Sequence, residues 1–480
     1  MAYDKESFLA GIAAGRIMQS WPMMKAITVY APFVITVQLV STTQVTISNF
    51  IWKGYKGIIE WGDGLVSDYT ETPNTDFSIS HTYADYGTYR ISVWYSDDCP
   101  KYDSTKTLFH DLWMFYQLAG VLTEINTPFP KVFDTITSFY QMCLQCRKLR
   151  KIPGGLFKFT KKVTTLYACF TECDSLTTIP EGLFDGLTLV TDAGGLFAEC
   201  PLIASIPVGL FDSFTEATSL RACFSNCPLI SSIPEGLFDN CRKATSFTGC
   251  FRGCSSLTSI PEHLFDNCQK ATSFEGCFSR CSAVTSIPEH LFANCPDVVW
   301  FREAFSGTGI ISIPNLLFHE NTKAEYFYGC FSSTKITSIP QDLFATCGKA
   351  STFQYCFQNC RDLTSIPSSL FDACPKVTTF NACFRNSGIQ SIPAGLFDYC
   401  TLVEDFYDCF YSCSSLAYVP YNLFVNCTRA TNFMRCFYTD RAITSNVPDL
   451  WNTHPNASGT GCYYYCSNAA NYADVPSGWR

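Results

Sequence analysis

The sequence predicts a mainly β solenoid built from coils of about 27 residues, preceded by a small β-sandwich and a short N-terminal helix. Three observations carry that reading. An Ile-Pro or Val-Pro step recurs every 26 to 28 residues, at Pro153, Pro180, Pro207, Pro234, Pro261, Pro288, Pro314, Pro340, Pro367, Pro393, Pro420 and Pro448, with a last copy at Pro476. A fixed period of that length marks units that bury their apolar side only against their neighbours. Each unit also contains a near-duplication: in residues 250–274, CFRGCSSLTSI and LFDNCQKATSF both read apolar-Phe-x-x-Cys-x-x-apolar-Thr-Ser-apolar. Finally, apolar residues make up 47% and aromatic residues 15% of the 480, against 16% charged, so a long chain has ample material for a repeated core.

Residues 1–25 read as a separate helix. Asp4 or Ser7 can cap it, and Phe8, Leu9, Ile12 and Met18 form an apolar stripe. Gly11 and Gly15, four apart, let another backbone approach closely, which suits self-association or docking in a groove. Trp21-Pro22 ends the helix.

Residues 27–98 read as short strands rich in β-branched and aromatic residues, with Asp63-Gly64 marking a tight turn. The run Trp61-Gly62-Asp63-Gly64, followed by His81-Thr82-Tyr83 and Tyr86-Gly87-Thr88-Tyr89, resembles the polycystic kidney disease-type (PKD) domain, an immunoglobulin-like sandwich. The resemblance covers some seventy residues and implies a spacer or binding module in which Asp63 and His81 fix turn and strand geometry. Residues 99–130 are expected to join the domains and cap the solenoid, since an end repeat must cover an otherwise open core.

Residues 131–480 form the repeat region. The Leu-Thr-Ser-Ile and Ala-Thr-Ser-Phe pieces alternate as short strands do, and Phe-x-x-Cys has the spacing of one helical or 3₁₀ turn. Two strand-like sides and two tight corners per coil are therefore expected. The pattern, with its Ala/Cys-Phe-x-x-Cys-x-x-Leu-x-x-Ile-Pro core, resembles BspA-like leucine-rich repeats from about Phe133 to Trp479. Paired cysteines are missing around Ala304-Phe305 and from Ser332 to Lys335. The final unit closes with Trp479. The resemblance implies adhesion to host or bacterial surfaces.

Of 28 cysteines, all but Cys99 lie in the periodic region. Residues recurring once per coil point the same way, whereas a disulfide needs opposed Cβ vectors, so buried thiols packing as small hydrophobes are expected. Zinc finds no facing Cys-x2-Cys pairs and only six His. No metal or cofactor is expected.

A net charge of −9 provides no field to displace counterions from phosphates, which excludes nucleic acid as a partner. No membrane insertion is expected either, because the longest apolar stretch, Ala26 to Val40, is broken by Thr, Tyr, Pro and Gln. The N-terminus lacks the basic region and cleavage site of a secretory signal. The six His are scattered, and no phosphate loop or isolated acid pair occurs, so the chain is not expected to be an enzyme.

Positions that vary between coils are the place to look for a partner. The column following the apolar residue before Cys-Phe holds Arg302, Tyr328, Gln354 and Tyr407, and two places earlier stand Trp300 and Tyr326. Together they make a candidate stripe for a host cell-surface protein or carbohydrate. The leader DKESFLAGIAAGR is similar to short helices that open phage structural and fibre proteins. The expectation that follows is a virion-associated, receptor-binding adhesin. Its helix would hold a virion structural protein, with homo-oligomerisation as a further use. A cell-encoded BspA-like adhesin at the extracellular cell surface and an intracellular repeat scaffold are the alternatives.

Overall fold

The computed structural model describes residues 31–48, 57–69, 78–95 and 114–480. The expected helix, with Phe8, Leu9, Gly11, Ile12 and Gly15, lies outside the described residues, as does Cys99. The chain divides into two compact units. One runs to residue 203 and takes in 209–215, and the other comprises 204–208 and 216–480.

In the first unit, alternation of apolar and polar residues produces seven short strands: β1 (Phe33–Leu39), β2 (Gln44–Ser48), β3 (Gly57–Glu60), β4 (Val66–Asp68), β5 (Ser78–Thr82), β6 (Gly87–Tyr95) and β7 (Leu122–Ile125). Five make a sheet in the order β4-β3-β6-β1-β7, while β2 and β5 pair separately. β1 lies antiparallel to β6, from Phe33 opposite Val93 to Leu39 opposite Gly87. β7 pairs antiparallel with β1, and its Glu124 bridges in parallel to Lys151, so one strand belongs to the sheet and to the first repeat.

The turn residues singled out in the sequence meet in space. His81 Nε2 lies 2.6 Å from Asp63 Oδ2, and its ring stacks on buried Trp61 at 4.8 Å. Tyr83 donates its hydroxyl to the Trp61 carbonyl at 2.8 Å. Asp63 Oδ1 accepts the Leu65 N–H at 3.0 Å, the side-chain turn its sequence favours. Gly62 has φ +86°, and a Cβ there would sit 2.5 Å from the Arg90 carbonyl oxygen, so glycine is required.

The repeats pair with one another in register. In the second unit single-residue parallel bridges run from Ser219 through Ser246, Ser273, Trp300, Tyr326, Thr352, Thr379, Asp405 and Asn432 to Ser458; in the first, Ser138, Thr165 and Asp192 are linked the same way. Beyond each bridge, alternate N–H groups donate to the following repeat: Phe247 to Ser273, Gly249 to Glu275, Phe251 to Cys277 and Gly253 to Ser279, at 2.7 to 3.0 Å.

Two local expectations change. The Leu-Thr-Ser-Ile side forms few bridges, and its repeats are joined by scattered backbone contacts such as Thr258 N–H to Ser231 O at 3.2 Å. The Ile-Pro step explains this, since proline has no N–H to give a ladder. On the bridge side the Phe-x-x-Cys pieces are overlapping reverse turns rather than one helical or 3₁₀ turn, while the Leu-Phe-x-x-Cys corners keep a single such bond, Cys268 N–H to Phe265 O at 2.9 Å. Cys250 N–H donates to Phe247 O and Arg252 N–H to Gly249 O, with left-handed residues at Gly249 (φ 62°) and Gly253 (φ 76°). Non-glycine residues such as Ala222, Asp408 and Arg435 hold the same left-handed backbone.

The core is a set of phenylalanine ladders. One runs Phe224, Phe251, Phe278, Phe305, Phe331, Phe357, Phe384, Phe410 and Phe437, with successive rings stacked at 5.4 to 5.9 Å. A second, through Phe344, Phe371 and Phe397, packs tilted against a third through Phe353 and Phe380, for example at 4.6 Å between Phe344 and Phe353. All these rings are buried.

The 27 described cysteines are buried thiols. Their ladder has a chemical reason. Most second cysteines of the Cys-Phe-x-x-Cys motif point their S–H at a phenylalanine carbonyl of the preceding repeat: Cys254 to Phe224 (3.2 Å), Cys281 to Phe251 (3.0 Å), Cys413 to Phe384 (3.1 Å). Substitutes keep the donor. In the corner column Asn321 Nδ2 reaches Cys295 O at 2.8 Å, and His454 Nε2 reaches Cys427 O at 3.2 Å. Burial pushes Cys281 and Cys295 up to about 12, so neither is a thiolate at neutral pH.

At the C-terminal end a single turn of helix, α1 (Leu450–Thr453), precedes the last repeat. Trp479 accepts the Tyr463 N–H at 2.9 Å, and its indole lies where any side chain at residue 459 would stand. Among the described residues no helix is long and apolar enough to cross a membrane.

Candidate functional site: one face of the repeats

The bridge column is made almost entirely of small polar residues for a local reason. A side-chain oxygen there accepts the N–H two residues on: Ser273 that of Glu275 (3.3 Å), Thr379 that of Asn381 (3.0 Å), Asp405 that of Tyr407 (3.0 Å), Asn432 that of Met434 (3.1 Å). Trp300 and Tyr326 break the rule. Neither ring can cap a nearby amide in this way, and their rings stack on each other at 3.9 Å with 11° between planes. Trp300 remains 39% exposed, far more than a core tryptophan.

Two residues on, Arg302 and Tyr328 form a second pair, the guanidinium 4.5 Å above the phenol ring. Arg302 Nε also approaches Glu275 at 3.6 Å, and Arg252 approaches Glu303 at 3.7 Å. Desolvation and neighbouring Tyr355 raise the Tyr328 phenol above its usual value, against the pull of Arg302. Gln354 contributes its backbone, donating to Thr352 Oγ1 at 3.1 Å and accepting from Gly329 at 2.8 Å.

Tyr407 belongs to a different cluster, most of which the sequence reading missed. The Asp408 carboxylate is fully buried between two guanidiniums, with Arg385 at 2.6 Å and Arg435 at 2.8 Å. Arg435 also donates to the Tyr407 hydroxyl and covers its ring at 4.7 Å. Arg385 lies 4.4 Å over Tyr411. From there a row of phenols continues, Tyr411 on Tyr438 at 5.1 Å and Tyr438 on Tyr464 at 4.9 Å. Burial raises the Asp408 carboxyl, and the two arginines offset part of that. The missed signal was legible: the residue after the ladder phenylalanine is Ser279, Ser306 and Ser332 in the middle repeats, then Gln358, and then Arg385, Tyr411 and Tyr438.

The candidate stripe is therefore two clusters, Trp300/Arg302/Tyr326/Tyr328 and Tyr407 with its arginine and tyrosine neighbours. In both, arginines and aromatic rings on successive repeats hold each other, which fixes long side chains at little further entropic loss on binding. Neither contains a nucleophile paired with a base. His263 pairs with Asp266 at 2.8 Å within one exposed corner, away from both clusters in sequence. Among the described residues no group of three or more His, Cys, Asp or Glu could hold a metal.

The profile of the family described as BspA type leucine rich repeat region matches in six copies, over residues 203–304, 231–359 and 282–470. No curated protein matches the chain in sequence. Among solved structures, the Toll–Spatzle complex of Drosophila is similar at 12% identity, over 69% of this chain and 45% of that one, with a TM-score of 0.34. The LRIM1/APL1C complex is similar at 14% identity, over 45% of this chain and 43% of that one, with a TM-score of 0.24. The chain thus spans less than half the length of either protein.

Proposed function

This chain belongs to the BspA type leucine-rich repeat family, and on that premise we propose that it is a non-enzymatic recognition protein that binds a host-cell surface through the two side-chain clusters. One observation carries the reading. Aromatic and charged side chains depart from the repeat consensus together, on one face, and brace one another across repeats instead of filling the core. In this reading the stacked repeats of residues 216–480 display the face. The strands of residues 31–95 act as a PKD-like spacer. The leader of residues 1–25 anchors the protein to a virion structural protein and can self-associate. Display at a bacterial cell surface is the second reading, favoured by the family's adhesion-type repeats.

Adsorption of the purified full chain to a panel of bacterial strains tests the proposal. Binding to at least one strain, weakened tenfold or more by the double variant Trp300→Ser/Tyr407→Ala with its melting curve intact, is expected. Adsorption to no strain, or equal adsorption of both proteins, overturns it.

A further inference from the structure

We infer that the outer face of Trp300 is a carbohydrate subsite, occupied by a hexopyranose unit of a surface glycan. This deepens the proposed function and rests on it. A sugar ring offers an apolar C–H face edged by hydroxyls, so its receptor needs an open aromatic face bordered by hydrogen-bonding groups. Most ring ladders in this protein cannot supply one. Tyr411, Tyr438 and Tyr464 stack on each other, so a ring such as Tyr438 has both faces taken.

Trp300 differs because of its neighbours. Its ring contact among the described residues is Tyr326, on the C-terminal side. On the other side the bridge column holds three serines in succession, Ser273, Ser246 and Ser219, which are too small to cover an indole. The indole is thus a wall at the end of a shelf of small residues. The border of the shelf is polar. Ser273 Oγ and Thr248 Oγ1 are 2.9 Å apart, and Glu275 with Arg302 supplies a carboxylate and a guanidinium, 3.6 Å apart and both partly exposed. These are the acceptor and donor types that bind vicinal hydroxyls.

The aromatic residue also has no local structural reason to be there. Apart from Tyr326, on which it stacks, its counterparts are Ser, Thr, Asp or Asn, and several of them cap the amide two residues on. Trp300 leaves the Arg302 amide without that acceptor. A residue that breaks a local rule of its own fold points to a requirement other than folding.

The test compares the full chain with Trp300→Ser, which restores the residue of the three preceding repeats and so keeps the fold, and with Trp300→Phe, which keeps a ring face. Binding is measured on an array of bacterial surface glycans and on cells before and after mild periodate oxidation. Expected are recognition of at least one hexose-containing glycan, loss of tenfold or more in Trp300→Ser, partial retention in Trp300→Phe, and loss of cell binding after periodate. Glycan binding unchanged in Trp300→Ser overturns the subsite. So does an array without hits combined with cell adsorption insensitive to periodate, an outcome that leaves surface recognition standing with a protein receptor. Absence of any cell adsorption instead removes the proposed function itself.

Discussion

Arg435 grips Asp408 from the next repeat with two bonds, Nε to Oδ1 at 2.8 Å and Nη2 to Oδ2 at 2.9 Å, while both residues hold a left-handed backbone, at φ 53° and 55°. Glycine occupies the same column at Gly249, Gly276, Gly329 and Gly461. Here side chains replace it and tie adjacent repeats together.

Removing the carboxylate should therefore loosen this region. Asp408→Ala leaves Arg385 and Arg435 facing each other without their shared partner. Because both guanidiniums are about a third exposed, solvent softens the loss, and we expect a destabilisation of about 2 kcal/mol in urea unfolding. A change within experimental error would mean that the cluster contributes nothing to stability.

Asp440 makes the opposite prediction. It stands in the second-cysteine column, between Cys413 and Cys466 in sequence register, fully buried, and neither oxygen makes a hydrogen bond of ordinary geometry. Burial pushes its carboxyl well above the ordinary range, with the Cys413 backbone offsetting only part. A raised folded-state value means the unfolded chain ionises first as pH rises above about 4, so stability falls with pH by at most about 1.4 kcal/mol per unit until the folded value is reached. Asp440→Cys, which restores the thiol donor, should equal wild type near pH 4 and exceed it increasingly toward pH 7. Parallel denaturation curves at both pH values would contradict this.

His454 acts in the other direction. Burial lowers its value, and the ring reaches the Cys427 carbonyl in place of a thiol. It contributes stability above its unfolded value, about 6.5, which is lost as pH falls through the lower folded value. His454→Asn should retain the donor and flatten the stability profile of wild type between pH 7 and 5, as read by thermal melts.

Truncating the core should be far more damaging than any surface change. Phe344 touches Phe318, Phe327, Phe353 and Phe371. Phe344→Ala should destabilise by about 3 to 5 kcal/mol in denaturant unfolding. Trp300→Ser, by contrast, should melt at or above the wild-type temperature, since the serine regains an amide to cap.

Much of this was legible because repetition amplifies small signals. One Phe or Cys says little, but nine phenylalanines at a fixed spacing, from Phe224 to Phe437, fix a ladder, and the Pro of each Ile-Pro step marks the side where pairing is sparse. What escaped was the meaning of the thiols as donors, which appears only once the carbonyl of the preceding repeat is in place. The Asp408 cluster escaped too, because Arg385 and Arg435 lie 23 and 27 residues from Asp408 and converge on it only through register. The Trp61, Asp63 and His81 contacts were suggested by the motif that contains them; the pairing of β7 with both β1 and the first repeat was not, since strand partners are not written locally.

Amide hydrogen exchange of the full chain, alone and adsorbed to a strain it recognises, tests the display of this face most directly. Added protection is predicted across residues 299–303, 325–329 and 404–412, with the Ile-Pro side at 258–263 and 285–290 unchanged. Protection confined to the Ile-Pro side, or spread evenly over every repeat, would contradict it.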